Sequence, residues 1–137
     1  MSANTLAATA LATLLMASAS QPVTAHHSFS AEFDLTQPIQ LHGEVIRMVF
    51  SNPHSRIYLR VTTDSGEVQE WSIEGGAPNA LIRRGWNRDS LPAGTEVTVL
   101  GYRSRDGSLT ANGGSVTLPD GSTLKVGSLG IGAPGAE

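Results

Sequence analysis

The sequence predicts a mainly β fold, a small barrel of five to six strands with one short helix between strands 3 and 4. Three observations predict it. The segment from Arg56 to Thr62 alternates, with Ile57, Leu59 and Val61 on one side, which is the period of a half-buried strand. The preceding segment, from Ile39 to Phe50, is long for a strand and carries Gly43 in its interior, read as a bulge or sharp coil that lets one strand change sheets. The order of elements, three strands, a short helix and then two or three further strands, is that of an OB-like Greek-key barrel. A plain meander sandwich with a surface helix uses the same elements, and periodicity alone leaves closure open.

Each element follows from local chemistry. The two strands above are joined by a polar turn centred on Asn52-Pro53-His54. Asp64-Ser65-Gly66 makes a tight turn into Glu67 to Glu74, where Trp71 and Ile73 share a face. Gly75-Gly76 ends that strand. The stretch from Ala77 to Gly85 then reads as a helix of about two turns, begun at Pro78 or Asn79, stopped by Gly85 and anchored by Leu81 and Ile82. Thr95 to Tyr102 is the fourth strand, with Val97 and Val99 inward, and Arg105-Asp106-Gly107 turns into a strand region around Leu109 to Leu118. Pro119-Asp120-Gly121 closes one more hairpin with Thr123 to Val126.

The first 25 residues carry no charged side chain and run through an apolar stretch from about Leu6 to Ala17. They end in Val23-Thr24-Ala25, with small residues at the −3 and −1 positions, the pattern of a secretory signal peptide. The apolar run falls short of the roughly 20 residues of a membrane span, so the trimmed protein is expected not to span a membrane. A rival cleavage after Ala19 would leave six extra residues ahead of the histidines.

Removing residues 1–25 from 137 leaves 112, enough for one domain. It divides into an N-terminal arm (26–38) without regular structure, a barrel domain (39–126) and a loose small-residue tail (127–137). In the arm, Phe29, Phe33 and Leu35 are expected to pack on the barrel. The net charge of −3 gives no electrostatic support for nucleic acid or an anionic membrane. Cysteine is absent, so a metal site would have to use imidazole, carboxylate or amine ligands.

The motifs Ala25-His26-His27-Ser28-Phe29-Ser30, Ala31-Glu32-Phe33-Asp34, Leu41-His42-Gly43, Asn52-Pro53-His54-Ser55, Pro78-Asn79-Ala80-Leu81 and Arg84-Gly85-Trp86 run through nearly the whole trimmed chain. Together they resemble a family of short exported bacterial proteins catalogued only as a domain of unknown function. The resemblance implies an exported single-domain protein and no established activity.

Cleavage after Ala25 would make His26 the first residue. Its free amine and imidazole can chelate one metal ion, and a further histidine completes a three-nitrogen set suited to Cu(II). His27 follows directly, but adjacent side chains on an extended arm point apart. His54, at the Asn52-Pro53 turn, is therefore the first candidate for the third ligand and His42 the second; Glu32 and Asp34 are candidate oxygen ligands or orienting acceptors. A histidine in such a turn also commonly caps a backbone carbonyl or, here, Asn52. A second constellation is Arg83, Arg84, Trp86 and Arg88, which could grip an anion or stack on a planar ligand. Alternatively one arginine pairs with Asp89 or Glu74 while Trp86 is buried under the helix. Tyr58, with Arg56 and Arg60, lies on the face opposite Ile57.

Neither a nucleophile elbow, nor a His-Glu-x-x-His helix, nor a phosphate loop appears. The sequence therefore points to an exported binding or accessory protein rather than an enzyme, with copper as the candidate cofactor. The alternative is a metal-free module that docks onto a larger exported protein through Tyr58 and the Arg84 to Trp86 segment, and a small copper oxidoreductase is a third reading. The mass of protein collected from the periplasm is expected to correspond to a chain starting at His26; a start at Ser20, or an untrimmed chain, would remove the terminal chelate.

Overall fold

The computed structural model describes residues 29–127. The predicted signal peptide, His26, His27 and residues 128–137 of the tail lie outside the described residues. The elements are α1 (Phe29–Glu32), β1 (Phe33–Val49), β2 (Arg56–Thr62), β3 (Val68–Glu74), α2 (Pro78–Arg83), β4 (Glu96–Ser104), β5 (Thr110–Thr117) and β6 (Thr123–Lys125). The class is mainly β, as predicted. The strands lie in one sheet in the order β3-β2-β1-β4-β5-β6, and a further pairing joins β3 to β5. That last link is parallel, with Ser72, Ile73 and Glu74 opposite Thr110, Ala111 and Asn112. The other strand pairs are antiparallel. A plain meander is ruled out, because β1 has β4 as a neighbour and β3 has β5. The strands do not stand evenly round one axis, so the shape is not that of a regular barrel.

The 17 residues of β1 serve two neighbours. Residues from Pro38 to Glu44 face β4, residues from Glu44 to Val49 face β2, and Glu44 itself is opposite both Arg60 and Glu96. β1 changes partner at Gly43-Glu44 but stays within one sheet, and the register irregularity stands between Val45 and Arg47 rather than at Gly43 as expected. Gly43 is there for space: a Cβ at this position would lie 2.5 Å from the Arg60 carbonyl oxygen.

The arm is more ordered than the sequence implied. Residues 29–32 form a helical turn, and β1 starts at Phe33 rather than Ile39. Between Phe33, opposite Ser104, and Pro38, opposite Tyr102, the register shifts, and the extra residues are gathered by Asp34. Its carboxylate accepts from the Thr36 amide at 3.0 Å, the Thr36 hydroxyl at 2.7 Å and the Gln37 amide at 3.2 Å. The irregular stretch is what allows a proline inside this strand. Phe33 is buried and Phe29 packs on it, but Leu35 is 47% exposed and does not dock.

Helix α2 keeps its expected bounds. Pro78 stands in its first turn, Ala77 is the N-cap, and Gly85 follows the Arg84 C-cap with φ +92°, a left-handed conformation that glycine adopts without a Cβ clash. Leu81 is buried. Ile82 is 58% exposed and so does not anchor the helix, since consecutive positions of a short helix cannot both face one core.

The core joins Val45, Ile57, Leu59, Trp71, Ile73, Leu81, Trp86, Val97, Val99, Ala111, Val116 and Val126 from every major element. Each fully buried aliphatic side chain contributes about 1.5–3 kcal/mol. Among the described residues no helix is long and apolar enough to cross a membrane. Gly43→Ala should lower stability by about 1–3 kcal/mol, read as a lower urea midpoint with an unchanged slope, because the β1 and β2 backbones cannot separate at the crossover.

Candidate functional site

Of the predicted metal ligands, His54 has the most organised surroundings. Its loop is stitched to the end of β3: the Ser55 amide donates to the Gly76 carbonyl at 3.0 Å, and the Gly75 amide donates to the Ser55 carbonyl at 2.8 Å. The Ser51 hydroxyl donates to the His54 carbonyl at 2.8 Å, and the Asn52-Pro53 peptide bond is cis. These hydrogen bonds place the imidazole against the end of β3, with Nδ1 at 3.2 Å from the Gly75 carbonyl. A carbonyl only accepts, so Nδ1 carries the proton in this bond and the lone pair of the neutral ring sits on Nε2. The cap is thus a backbone carbonyl, not Asn52, which is exposed.

Glu74, a residue that in the sequence stands out only as a candidate salt-bridge partner, stands behind the ring. Its Oε1 is 3.7 Å from His54 Nδ1, and its Oε2 accepts from Arg56 at 3.0 Å. Arg56 also donates to the Ser72 hydroxyl at 3.2 Å. The Glu74 side chain is 8% exposed, against 41% for His54. It points away from the core, because its neighbour Ile73 faces inward, and it is covered by the loop that carries His54. The Gly75 carbonyl holds one ring nitrogen, with the buried carboxylate 3.7 Å behind it, and an acceptor on one nitrogen that leaves the other free is the orienting arrangement found behind metal-binding histidines.

The same outer face continues sideways. Glu74 is opposite Asn112 on β5, Asn112 is opposite Tyr102 on β4, and Phe29 packs edge-on against Tyr102 with ring centroids 6.2 Å apart. Asn112 is itself buried. The face therefore runs from His54 through Glu74 and Asn112 to the aromatic cluster under α1.

His42 is elsewhere. It lies on β1 opposite Thr98, with its side chain 70% exposed, Nδ1 at 3.3 Å from the Thr98 hydroxyl and Nε2 at 3.5 Å from Glu96. Among the described residues no three His, Asp or Glu side chains stand close enough together to hold a metal ion. Asp34 is engaged in its own turn. The Thr36 side chain, and then its amide, hold the Asp34 carboxyl below its usual value, opposed by partial desolvation and assisted by Arg105. The turn is therefore intact at neutral pH and is lost only as pH falls through that depressed value.

The second constellation is committed to structure. Trp86 is 2% exposed, and its indole N–H donates to the Lys125 carbonyl at 2.9 Å. Arg84 donates to the Gly127 carbonyl. Glu74 takes its arginine from β2 rather than from this segment. The exposed residues of α2 and the following loop include Ile82, Arg83 and Arg88. Tyr58 lies under the Arg47 guanidinium, 3.7 Å from the ring centroid. On this outer face Arg60 meets Glu44 at 2.8 Å and Arg47 meets Glu70 at 3.8 Å, so each arginine has a carboxylate partner and no basic stripe remains for a polyanion.

Replacing the buried carboxylate by an amide isolates its charge. Glu74→Gln should cost about 1.5–3 kcal/mol, the range for hydrogen bonds to charged groups, seen in denaturant unfolding; the equivalent change at the exposed Glu70 should cost much less.

No curated protein matches the chain at a significant level. A family model, however, matches residues 12–113, well over half of the chain and including His26, His27, His42, His54, Glu74 and Arg84. The chain therefore belongs to DUF6152, a family of unknown function.

Proposed function

We propose that this domain is an exported, periplasmic binding or accessory protein on an OB-like barrel, and that the trimmed N-terminus binds Cu(II). The ligands in this reading are the amine and ring of His26 together with Nε2 of His54. The OB-like description is supported by the pairing order, the parallel link between β3 and β5, and the short helix between β3 and β4.

One observation carries the copper reading: Nδ1 of His54 is occupied by Gly75 and backed by Glu74, which leaves Nε2 as the coordinating atom. Reach supports it. From Tyr102 across Asn112 to Glu74 is two strand spacings, roughly 10 Å. Three residue steps lead from Phe29, on Tyr102, back to His26, and three extended steps span about 10 Å at most. Two imidazoles and an amine suit Cu(II) better than Ca²⁺ or Mg²⁺, which prefer oxygen. The role is storage, delivery or docking of the ion rather than turnover.

The test is a Cu(II) titration against a competing chelator. Protein beginning at His26 is expected to bind at least tenfold more tightly than protein with one glycine added ahead of it, and at least tenfold more tightly than His54→Ala. Equal weak binding by all three rejects the site.

A further inference from the structure

Asparagine followed by glycine is the strongest short signal for a hairpin turn, and Asn112-Gly113 is the one place in the sequence where that pair occurs. The fold uses it differently. Both residues lie within β5, and neither has the positive φ that such a turn requires. Gly113 is there for space: a Cβ on it would lie 2.7 Å from Ile73 Cγ2 and 2.8 Å from Val126 Cγ1. On the opposite edge, a Cβ on Gly101 of β4 would strike the Asn112 carbonyl oxygen. The main chain at 112–113 is thus wedged between β4 on one side and β3 with Val126 on the other, and packing forbids a larger residue after Asn112.

That requirement leaves the chain with a reactive pair. A glycine nitrogen, with no Cβ beside it, can approach the side-chain carbonyl carbon of the preceding asparagine. The remaining asparagines, Asn4, Asn52, Asn79 and Asn87, precede Thr5, Pro53, Ala80 and Arg88, which obstruct the approach or, in the proline, lack the N–H. Within the folded domain the approach is also blocked at Asn112. Ring closure turns its ψ away from the strand value of about +135°, yet Asn112 is held opposite Tyr102 on β4 and Glu74 on β3 and is only 6% exposed.

We propose that Asn112 is a deamidation site gated by the fold, closed while β5 is joined to β3 and β4 and open once they part. The Gly113 nitrogen bonds to Asn112 Cγ, the bond from Cγ to Nδ2 breaks, and ammonia leaves with the proton that the Gly113 amide gives up. Water then adds to one carbonyl of the five-membered imide. Breaking the bond from Cγ to nitrogen gives aspartate; breaking the other gives isoaspartate, with one extra carbon in the main chain. Net, water enters and ammonia departs.

The product disfavours reclosure. Either form sets a second carboxylate opposite Glu74, whose side chain is 8% exposed and already engages Arg56 at 3.0 Å. Like charges directly opposite one another destabilise a sheet, and the extra carbon of isoaspartate disturbs the register with Tyr102 and Glu74. Conversion therefore marks an opening event in one direction, because the altered chain refolds poorly. The inference is independent of the copper reading.

The experiment incubates intact protein in mildly alkaline buffer across a urea series, with the peptide from Asp106 to Lys125 alone in the same buffer as the unprotected reference. Tryptic mass mapping reads the gain from amide to acid, and that peptide holds no other asparagine and no glutamine. Conversion is expected to be at least tenfold slower in folded protein than in the free peptide or above the urea midpoint, and to follow the unfolded fraction through the transition. Asn112→Gln should abolish it. Equal rates in folded and unfolded protein, or no mass gain in urea, overturn the proposal. Asn112→Asp, made directly, is expected to lower the urea midpoint, and Glu74→Gln should lower the midpoint less in that background than in the unchanged chain. An unchanged midpoint in Asn112→Asp overturns the one-way character; if that variant does not fold, the conversion rates still decide the gating.

Discussion

The fold depends on one strand satisfying two sets of backbone hydrogen bonds. Along β1 the amides and carbonyls turn first to β4 and then to β2, and the exchange happens within a residue of Gly43. If β1 kept a single partner, the two groups β2-β3 and β4-β5-β6 would be joined only through the short parallel pairing of β3 with β5, and a new edge would be exposed. By bridging them, β1 brings Val45 into the same cluster as Val97 and Val99 from β4 and Ile57 and Leu59 from β2. The outer face inherits its order from the same arrangement. Because β3 also pairs with β5, the end of β3 that carries Glu74 is brought beside β5 and, through it, beside the aromatic cluster on β4.

Much of this could be read from local patterns. Strands β2, β3 and β4 alternate cleanly, and one buried face is enough to set their type and register. The turn glycines and Pro78 marked the ends of elements well, because their conformational requirements are local. What escaped was tertiary in origin. Asp34-Leu35-Thr36-Gln37-Pro38 has the composition of a loop, yet it is carried within β1, because Asp34 gathers the surplus residues and Phe33 is buried on the outer side of the sheet. The exposure of Ile82 depends on which side of a single turn of helix meets the core, and a neighbouring leucine could equally have shared it.

The candidate site was legible in part. His54 stands out by its turn, and its capping of a carbonyl was one of the two roles weighed for it. Glu74 did not stand out, since a glutamate at the end of a strand is ordinary when seen alone. Its significance comes from neighbours that are distant in sequence, Arg56 and the His54 loop. Trp86 illustrates the opposite case. An indole beside arginines suggests a binding platform, but here the ring fills the space beneath α2 and its N–H serves a backbone carbonyl of β6.

The parallel contact between β3 and β5 also bears on how the chain assembles. The β2-β3 hairpin closes over a short turn and can form early, with little loss of chain entropy. Ser72 and Thr110, by contrast, meet only after the helix, all of β4 and the turn beyond it have found their places. Such a distant union has a large entropic cost before it returns any stabilisation, so it belongs late in the folding sequence. Until that union is made, Glu74 and Asn112 do not stand side by side, and the outer face that runs from β3 across β5 to β4 is incomplete.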